Sequence, residues 1–282
     1  MAREASLPRP RFEAGPRLRR PSLSVSSTLT LALISLIGLV AFFYPLFLSG
    51  ASRSETMGNP HAEDAPLFFG LVLTLTLLLF VLELGGQGMN AKTASALATL
   101  MMLAAVLRIP TLPAGATAFF FAVILGGYVF GPRFGFLLGA GALFVSTFAI
   151  GGFGPWMPFQ VFCAGWVGMT AGWLGAFRAR LQRRRMLELA CRCGFGVAWG
   201  FLFGAVMNLW FWPFMASGES ISWQPGLGLG ETLRHYWSFY LLTSAGWDIW
   251  RALANVILIV AVGRPVLDLL TRFRDRFQIE LS

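Results

Sequence analysis

Long apolar runs alternate along the whole chain with short polar or glycine- and proline-rich breaks. Eight runs can be marked off, at roughly 27–49, 66–84, 91–108, 117–131, 134–150, 158–177, 189–212 and 244–263. Leu31 to Leu48 and Leu67 to Leu82 contain no charged residue, and each approaches the ~20 apolar residues that cross a hydrocarbon core about 30 Å thick. A soluble helical protein needs a polar face on each surface helix, and these runs have none. The pattern predicts an all-α polytopic membrane protein with about eight transmembrane helices. It divides into a basic tail (1–26), a two-helix N-terminal extension (27–90), a six-helix membrane core (91–263) and a second basic tail (264–282). The first run is too long, and too far from the start, to be a simple signal peptide.

The breaks carry the next layer of information. "FGPRFG" around Pro132 reads as a tight helix-to-helix turn, and "AIGGFGPWMPFQVF" (Ala149 to Phe162) packs three glycines, two prolines, a tryptophan and a glutamine into one connection. Of the 22 lysines and arginines, 18 fall on one side of an eight-span arrangement, and only Arg53, Arg108, Arg234 and Arg251 fall on or near the other. The positive-inside rule then puts both termini in the cytoplasm of a cell (inner or plasma) membrane protein. Four connections lie outside: 50–65, 109–116, 150–157 and 213–243. The last is the longest, and with Trp212 it holds Trp223, Tyr236, Trp237 and Tyr240. Irregular backbone at membrane depth must be buried in protein or line a cavity, so "GGFGPWMPF" is either a loop tucked into the outer mouth of the bundle or a plain turn with an interfacial tryptophan.

Composition agrees with the pattern: 56% of residues are hydrophobic and 12% charged, where soluble domains average about 25% charged. The excess of positive charge reports topology and contact with anionic headgroups, not nucleic acid. Three cysteines (Cys163, Cys191, Cys193) make no disulfide framework, and no histidine lies near them to complete a metal site. The two histidines, His61 and His235, fall in outer connections, and no hydrolase, metalloprotease or paired-carboxylate motif sits within the runs. A phosphate-binding loop needs Gly-Lys-Ser/Thr, but the single lysine, Lys92, follows Ala91. Transport driven by ATP would need its motor on another subunit.

Small residues recur every fourth position. Gly131, Gly135 and Gly139 make one stripe, Ala164, Gly168 and Gly172 another, and Gly196, Gly200 and Gly204 a third that Asn208 continues. Such stripes let helix backbones approach closely in lipid, and Asn208 extends one of them toward the mouth with a polar group. In the last run Asp248, Arg251 and Asn255 share a helix face. That face is either a self-neutralised pair near the interface or a lining of the outer cavity, with Trp247 and Trp250 beside it as belt residues or stacking walls.

Four stretches together resemble one family, the substrate-binding S components of energy-coupling factor (ECF) vitamin importers. "TASALATLMMLAAVLRIP" is similar to the family's first helix, with an Ala-x-x-x-Ala step at Ala94 and Ala98. "GGYVFGPRFGFLLGAGALF" resembles its second-to-third helix turn, "GGFGPWMPFQVFCAGWVGMTAG" its loop and fourth helix, and "AVMNLWFWPF" the end of its fifth. The resemblance spans about 91–263, and residues 1–90 depart from the minimal pattern. The absent phosphate-binding loop and metal-ligand cluster fit it: the expectation is a subunit without an ATPase site of its own, with no cofactor and no metal. Such a subunit takes a vitamin-like solute from outside and works with a transmembrane coupling subunit and two ATPase subunits. Trp156, Gln160, Asn208, Trp212, Trp247, Asp248 and Arg251 are the expected substrate contacts, and Ala94 and Ala98 the expected coupling-subunit contact. Gly151, Gly152 and Gly154 would let the loop fold over the solute, with Pro155 and Pro158 stiffening it. Two other classes remain: a proton-coupled secondary transporter, which would typically show internal repeats, and a membrane-embedded enzyme acting on lipid, which would need a carboxylate or histidine inside the bundle.

Overall fold

A computed structural model describes residues 25–47, 63–85, 89–215 and 220–279. Helix α1 (Val25–Phe43) runs into a 3-10 turn and is followed by α2 (Ala65–Gly85), α3 (Ala91–Val106), α4 (Phe119–Phe130), α5 (Pro132–Ile150) and α6 (Met157–Ala176). After a short helical turn at Arg178–Leu181 come α7 (Arg185–Phe211), α8 (Leu229–Thr243), α9 (Ala245–Ala261) and α10 (Gly263–Ile279). No strand occurs among the described residues. The chain is a multi-pass membrane protein. Among the described residues five helices are long and apolar enough to cross a bilayer, six if α8 and α9, bent by 67°, count as one broken span. The eight expected runs exceed that number because α3 is short and α6 carries glycines, Gln160 and tryptophans. Helix α6 needs little lipid compatibility: most of its residues from Met157 to Gly172 are buried among its neighbours.

Glycine seams set that centre. The α5 stripe and the α6 stripe meet each other: a Cβ added at Gly135 would run into the carbonyl of Gly168, one at Gly168 into that of Gly135, and one at Gly139 into that of Ala164. At Gly172 it would strike the backbone of Gly131 and Pro132. Gly131 itself stands at φ +98°, a conformation that side chains rarely adopt, and lets α4 end and α5 begin at Pro132 with no longer loop. The third stripe faces α9 in register. Gly196 lies against Asn255, Gly200 against Ala252, Gly204 against the Asp248 carboxylate, and Asn208 accepts from Ser244. Without side chains on α7 at these steps, the polar residues of α9 reach its backbone.

The N-terminal helices pack into the same core. Gly38 of α1 lies under Trp166 and Phe162, where a Cβ would come within 2.8 Å of either ring. Trp166 donates to Ser35 Oγ at 3.2 Å, and Phe42 meets Phe159 edge-on at 5.1 Å. At the opposite end of the bundle Arg133 pairs with Glu83 of α2 at 3.1 Å and donates to Thr28 of α1 at 2.7 Å.

Two stretches are more helical than the sequence pattern implied. The connection expected at 213–243 contains α8, whose polar Glu231, Arg234 and His235 interrupt any apolar run while Tyr236, Phe239 and Tyr240 are buried. The basic stretch after 263 forms α10, an amphipathic helix that buries Leu267 and Leu270 against Phe121, Leu125 and Tyr128. Arg53 and His61 lie outside the described residues.

Candidate functional site

One end of the bundle gathers the C-terminal ends of α3, α5 and α7, the N-terminal ends of α6 and α9, and α8; we refer to it as the mouth. Helix α5 stops at Gly151, which adopts a left-handed conformation (φ +67°) and, with Gly152, donates its N–H to the carbonyl of Thr147. Only 151–156 separate α5 from α6, so the loop is short and lies against the helix ends. The Trp156 indole folds over Gly154, where a Cβ would overlap the ring, and meets Trp210 edge-on at 6.3 Å. Trp210 continues the wall to Phe159 at 6.1 Å and Phe211 at 5.7 Å. Trp156 is 38% exposed, which leaves part of its ring uncovered.

A cation sits beside this wall. Arg108, just past the end of α3, donates to Ser146 Oγ on α5 at 2.8 Å and to Gln160 Oε1 on α6 at 3.1 Å. Both partners are neutral, so the guanidinium keeps its charge and further donors for another group. The sequence offered Arg108 only as a charge on the outer side. Its partners lie 38 and 52 residues away and follow from no local pattern.

The second polar group belongs to the α7–α9 seam. Asp248 is buried, pairs with Arg251 and accepts a 2.8 Å hydrogen bond from Tyr240 of α8. Arg251 also donates to the carbonyl of Gly200 at 3.0 Å and spreads over the rings of Phe203 (5.1 Å) and Phe120 (5.6 Å). Asn255 donates to the carbonyl of Gly196 at 2.9 Å. The Asp248 face is therefore an ion pair built into a helix–helix contact, with Arg251 reaching toward the interior between α4 and α7. Asn208 closes the seam at the mouth. Its oxygen accepts from Ser244 at 2.8 Å, while its buried Nδ2 has no hydrogen-bond partner among the described residues.

The other expected contacts stand elsewhere. Trp212 is fully buried in a separate cluster with Tyr236 and Phe239, and its indole donates to the carbonyl of Ile221 at 2.8 Å. Trp247 is exposed on α9, as is Trp250. So the structure brings Trp156 to Trp210 and Gln160 to Arg108, joins Asp248 to Arg251, and sets Trp212 and Trp247 apart. Ala94 is half-buried and Ala98 exposed. Together with Phe69, Leu73, Leu77 and Phe144 they line an apolar cavity of about 270 Å³ between α2, α3 and α5. Among the described residues no three His, Cys, Asp or Glu side chains converge as metal ligands would.

The model of one protein family, described as the substrate-specific component of the ECF transporter, matches residues 92–263, more than half of the chain. No curated protein and no solved structure matches it. The chain belongs to this family, and it is accordingly a substrate-binding subunit of an ECF transporter, a transport subunit rather than an enzyme, which associates with other subunits of that transporter in a membrane.

Proposed function

We propose that this substrate-specific component captures a vitamin-like small molecule at its mouth, from outside the cell, and that a transmembrane coupling subunit with two ATPase subunits drives its delivery to the cytoplasm. The supporting observation is the convergence at one end of the bundle of an uncovered aromatic ring (Trp156), a cation with only neutral partners (Arg108 on Gln160 and Ser146) and a buried amide with an unused donor (Asn208). A few fixed polar groups beside a large aromatic surface suit a planar, partly polar solute. In this reading Trp156 stacks on the solute, and Gln160, Arg108 and Asn208 hydrogen-bond its polar edge. Arg251 faces it from below, held by Asp248, while Trp212 and Trp247 act by supporting the mouth. Both termini lie in the cytoplasm of the cell membrane, because the arginine-rich ends of the chain and the 178–185 cluster then share one side. Ala94 and Ala98 contact a helix of the coupling subunit at the open side of the cavity between α2, α3 and α5, where the exposed Ala98 leaves room for its approach.

A thermal-shift screen of the purified protein against a panel of vitamins and their precursors tests the reading. A ligand present at about 100 times its Kd stabilises the native state by about 2.7 kcal/mol, enough to move the melting temperature visibly. One compound class is expected to stabilise, with the shift lost in Asn208→Ala. A flat response across the panel in folded protein counts against a vitamin-like substrate.

A further inference from the structure

The end of the bundle opposite the mouth holds charges that the transport reading does not use. Tyr128 of α4, Arg178 after α6, Glu188 and Arg192 of α7, and Arg264, Thr271 and Arg274 of α10 come together there. The guanidinium groups of Arg178 and Arg192 both lie over the Tyr128 ring, at 6.0 and 5.9 Å from its centre. Glu188, one turn before Arg192 and also buried, accepts from the Tyr128 hydroxyl at 3.1 Å and faces Arg264 at 3.9 Å. Arg178 donates to Thr271, and Arg274 to the carbonyl of Val129 at 3.2 Å.

The pairing is incomplete. Arg192 is 2% exposed, yet its Nε and Nη1 find no hydrogen-bond partner among the described residues; nor does Nη1 of Arg178, which is 7% exposed. Two buried guanidinium groups thus face one buried carboxylate, and that carboxylate is already engaged by a tyrosine and a third arginine. The other acids nearby, Asp268 and Asp275, are half-exposed and bind Arg264 and Arg274 on the outer side. A buried cation with unmet donors is costly unless an anion completes it. Arg264 and Arg274, whose side chains are 50% and 32% exposed, stand at the surface of the cluster.

We propose that this cluster binds the phosphate of an anionic phospholipid, with Arg192 and Arg178 as the inner donors and Arg264 and Arg274 at the rim. The fork of a guanidinium matches phosphate oxygens in pairs, and basic pockets between membrane helices on the cytoplasmic side are a recurrent headgroup site. A lipid fits better than a free phosphate because of α10. That amphipathic helix turns Leu269 and Phe273, both about half exposed and one turn apart, to the outside, next to Arg272 and Arg276. Such a stripe accepts acyl chains while the arginines stay at the headgroups. The proposal is independent of what binds at the mouth.

The test uses the full-length protein, delipidated in a neutral detergent, with phosphatidylglycerol, phosphatidylcholine and inorganic phosphate as separate additions. Retained lipid is read by native mass spectrometry and stability by thermal unfolding. Phosphatidylglycerol is expected to be retained and to raise the melting temperature, and phosphatidylcholine to do neither. Arg192→Gln should weaken phosphatidylglycerol retention by about tenfold or more, the loss expected for one charge-assisted hydrogen bond. It should lower the melting temperature only when lipid is present, since a purely structural arginine would lower it in both states. Arg178→Gln gives a second reading should the first variant fold poorly. Equal retention of the two lipids overturns the proposal, as does retention within twofold of wild type in both folded variants. Stabilisation by inorganic phosphate equal to that by phosphatidylglycerol overturns the lipid assignment in favour of a soluble phosphate.

Discussion

Asp248 is 1% exposed on a helix whose opposite side presents Trp250, Leu253 and Ile257 outward, and it survives there because Arg251, Tyr240 and the bare backbone at Gly204 receive it. Removing one partner of a buried ion pair strands the other. Asp248→Ala is therefore expected to cost about 3–5 kcal/mol, read as loss of cooperative thermal unfolding in detergent, and Asp248→Asn less because it keeps the Tyr240 contact. At the mouth, base or ring stacking on one aromatic is worth roughly 1–3 kcal/mol in nucleic-acid systems, so Trp156→Ala should weaken ligand binding about ten- to hundredfold in calorimetric titration. Affinity within twofold of wild type would remove Trp156 from the site. The sequence showed that Gly196, Gly200, Gly204 and Asn208 share one face, and Asp248, Arg251 and Asn255 another. It could not show that the two faces meet, because periodicity orients a side chain about its own helix and says nothing of the neighbour. For the same reason Arg108 stood as a mere charge until its partners on α5 and α6 were in view.

Helices in lipid lack a hydrophobic drive to associate, so close backbone contact has to supply the adhesion. The α5–α6 seam does this through Gly135, Gly139, Ala164 and Gly168, where an added Cβ meets a facing carbonyl. Gly168→Ala is expected to destabilise by about 1–3 kcal/mol through overpacking, while Gly70→Ala, with nothing within 4 Å of the new methyl, should leave the unfolding temperature unchanged. The notch on α3 has different surroundings. Ala98 is exposed beside a cavity of about 270 Å³, so Ala98→Trp has room without breaking the core. Uptake with the full transporter should fall while ligand binding by the isolated protein persists; a parallel fall of both would make the notch internal packing. Helices were legible wherever apolar residues ran on, and their breaks at Gly131–Pro132 and Gly151 were legible from residue type. Helix α8 was not: the polar Glu231, Arg234 and His235 cut short any apolar run before its buried Tyr236, Phe239 and Tyr240, which are covered by α7 and Trp212.

Across the whole molecule the two ends carry different polar groups. Arg133, Arg178, Arg192, Arg264 and Arg274 lie at one end with Glu83 and Glu188, whereas Arg108, Gln160, Asn208 and the aromatic wall lie at the other. Single cysteines at 181 and 278 in a cysteine-free background are expected to be labelled only from the cytoplasm, and one at 225 only from outside. Labelling at 225 from the cytoplasm would invert the map and the direction of capture with it. The docking of α1 on α6 through Gly38 and Trp166 was invisible beforehand, because residues 27–90 read only as two more spans with no partner attached. In the proposed transporter this chain captures the solute and its partners supply the energy. Uptake of the identified ligand into proteoliposomes, comparing this chain alone with the chain plus coupling subunit and ATPases, separates the two roles. Tight binding is expected from the chain alone, but accumulation only in the complete assembly with ATP. Accumulation by the chain alone under a proton gradient would contradict that division of roles.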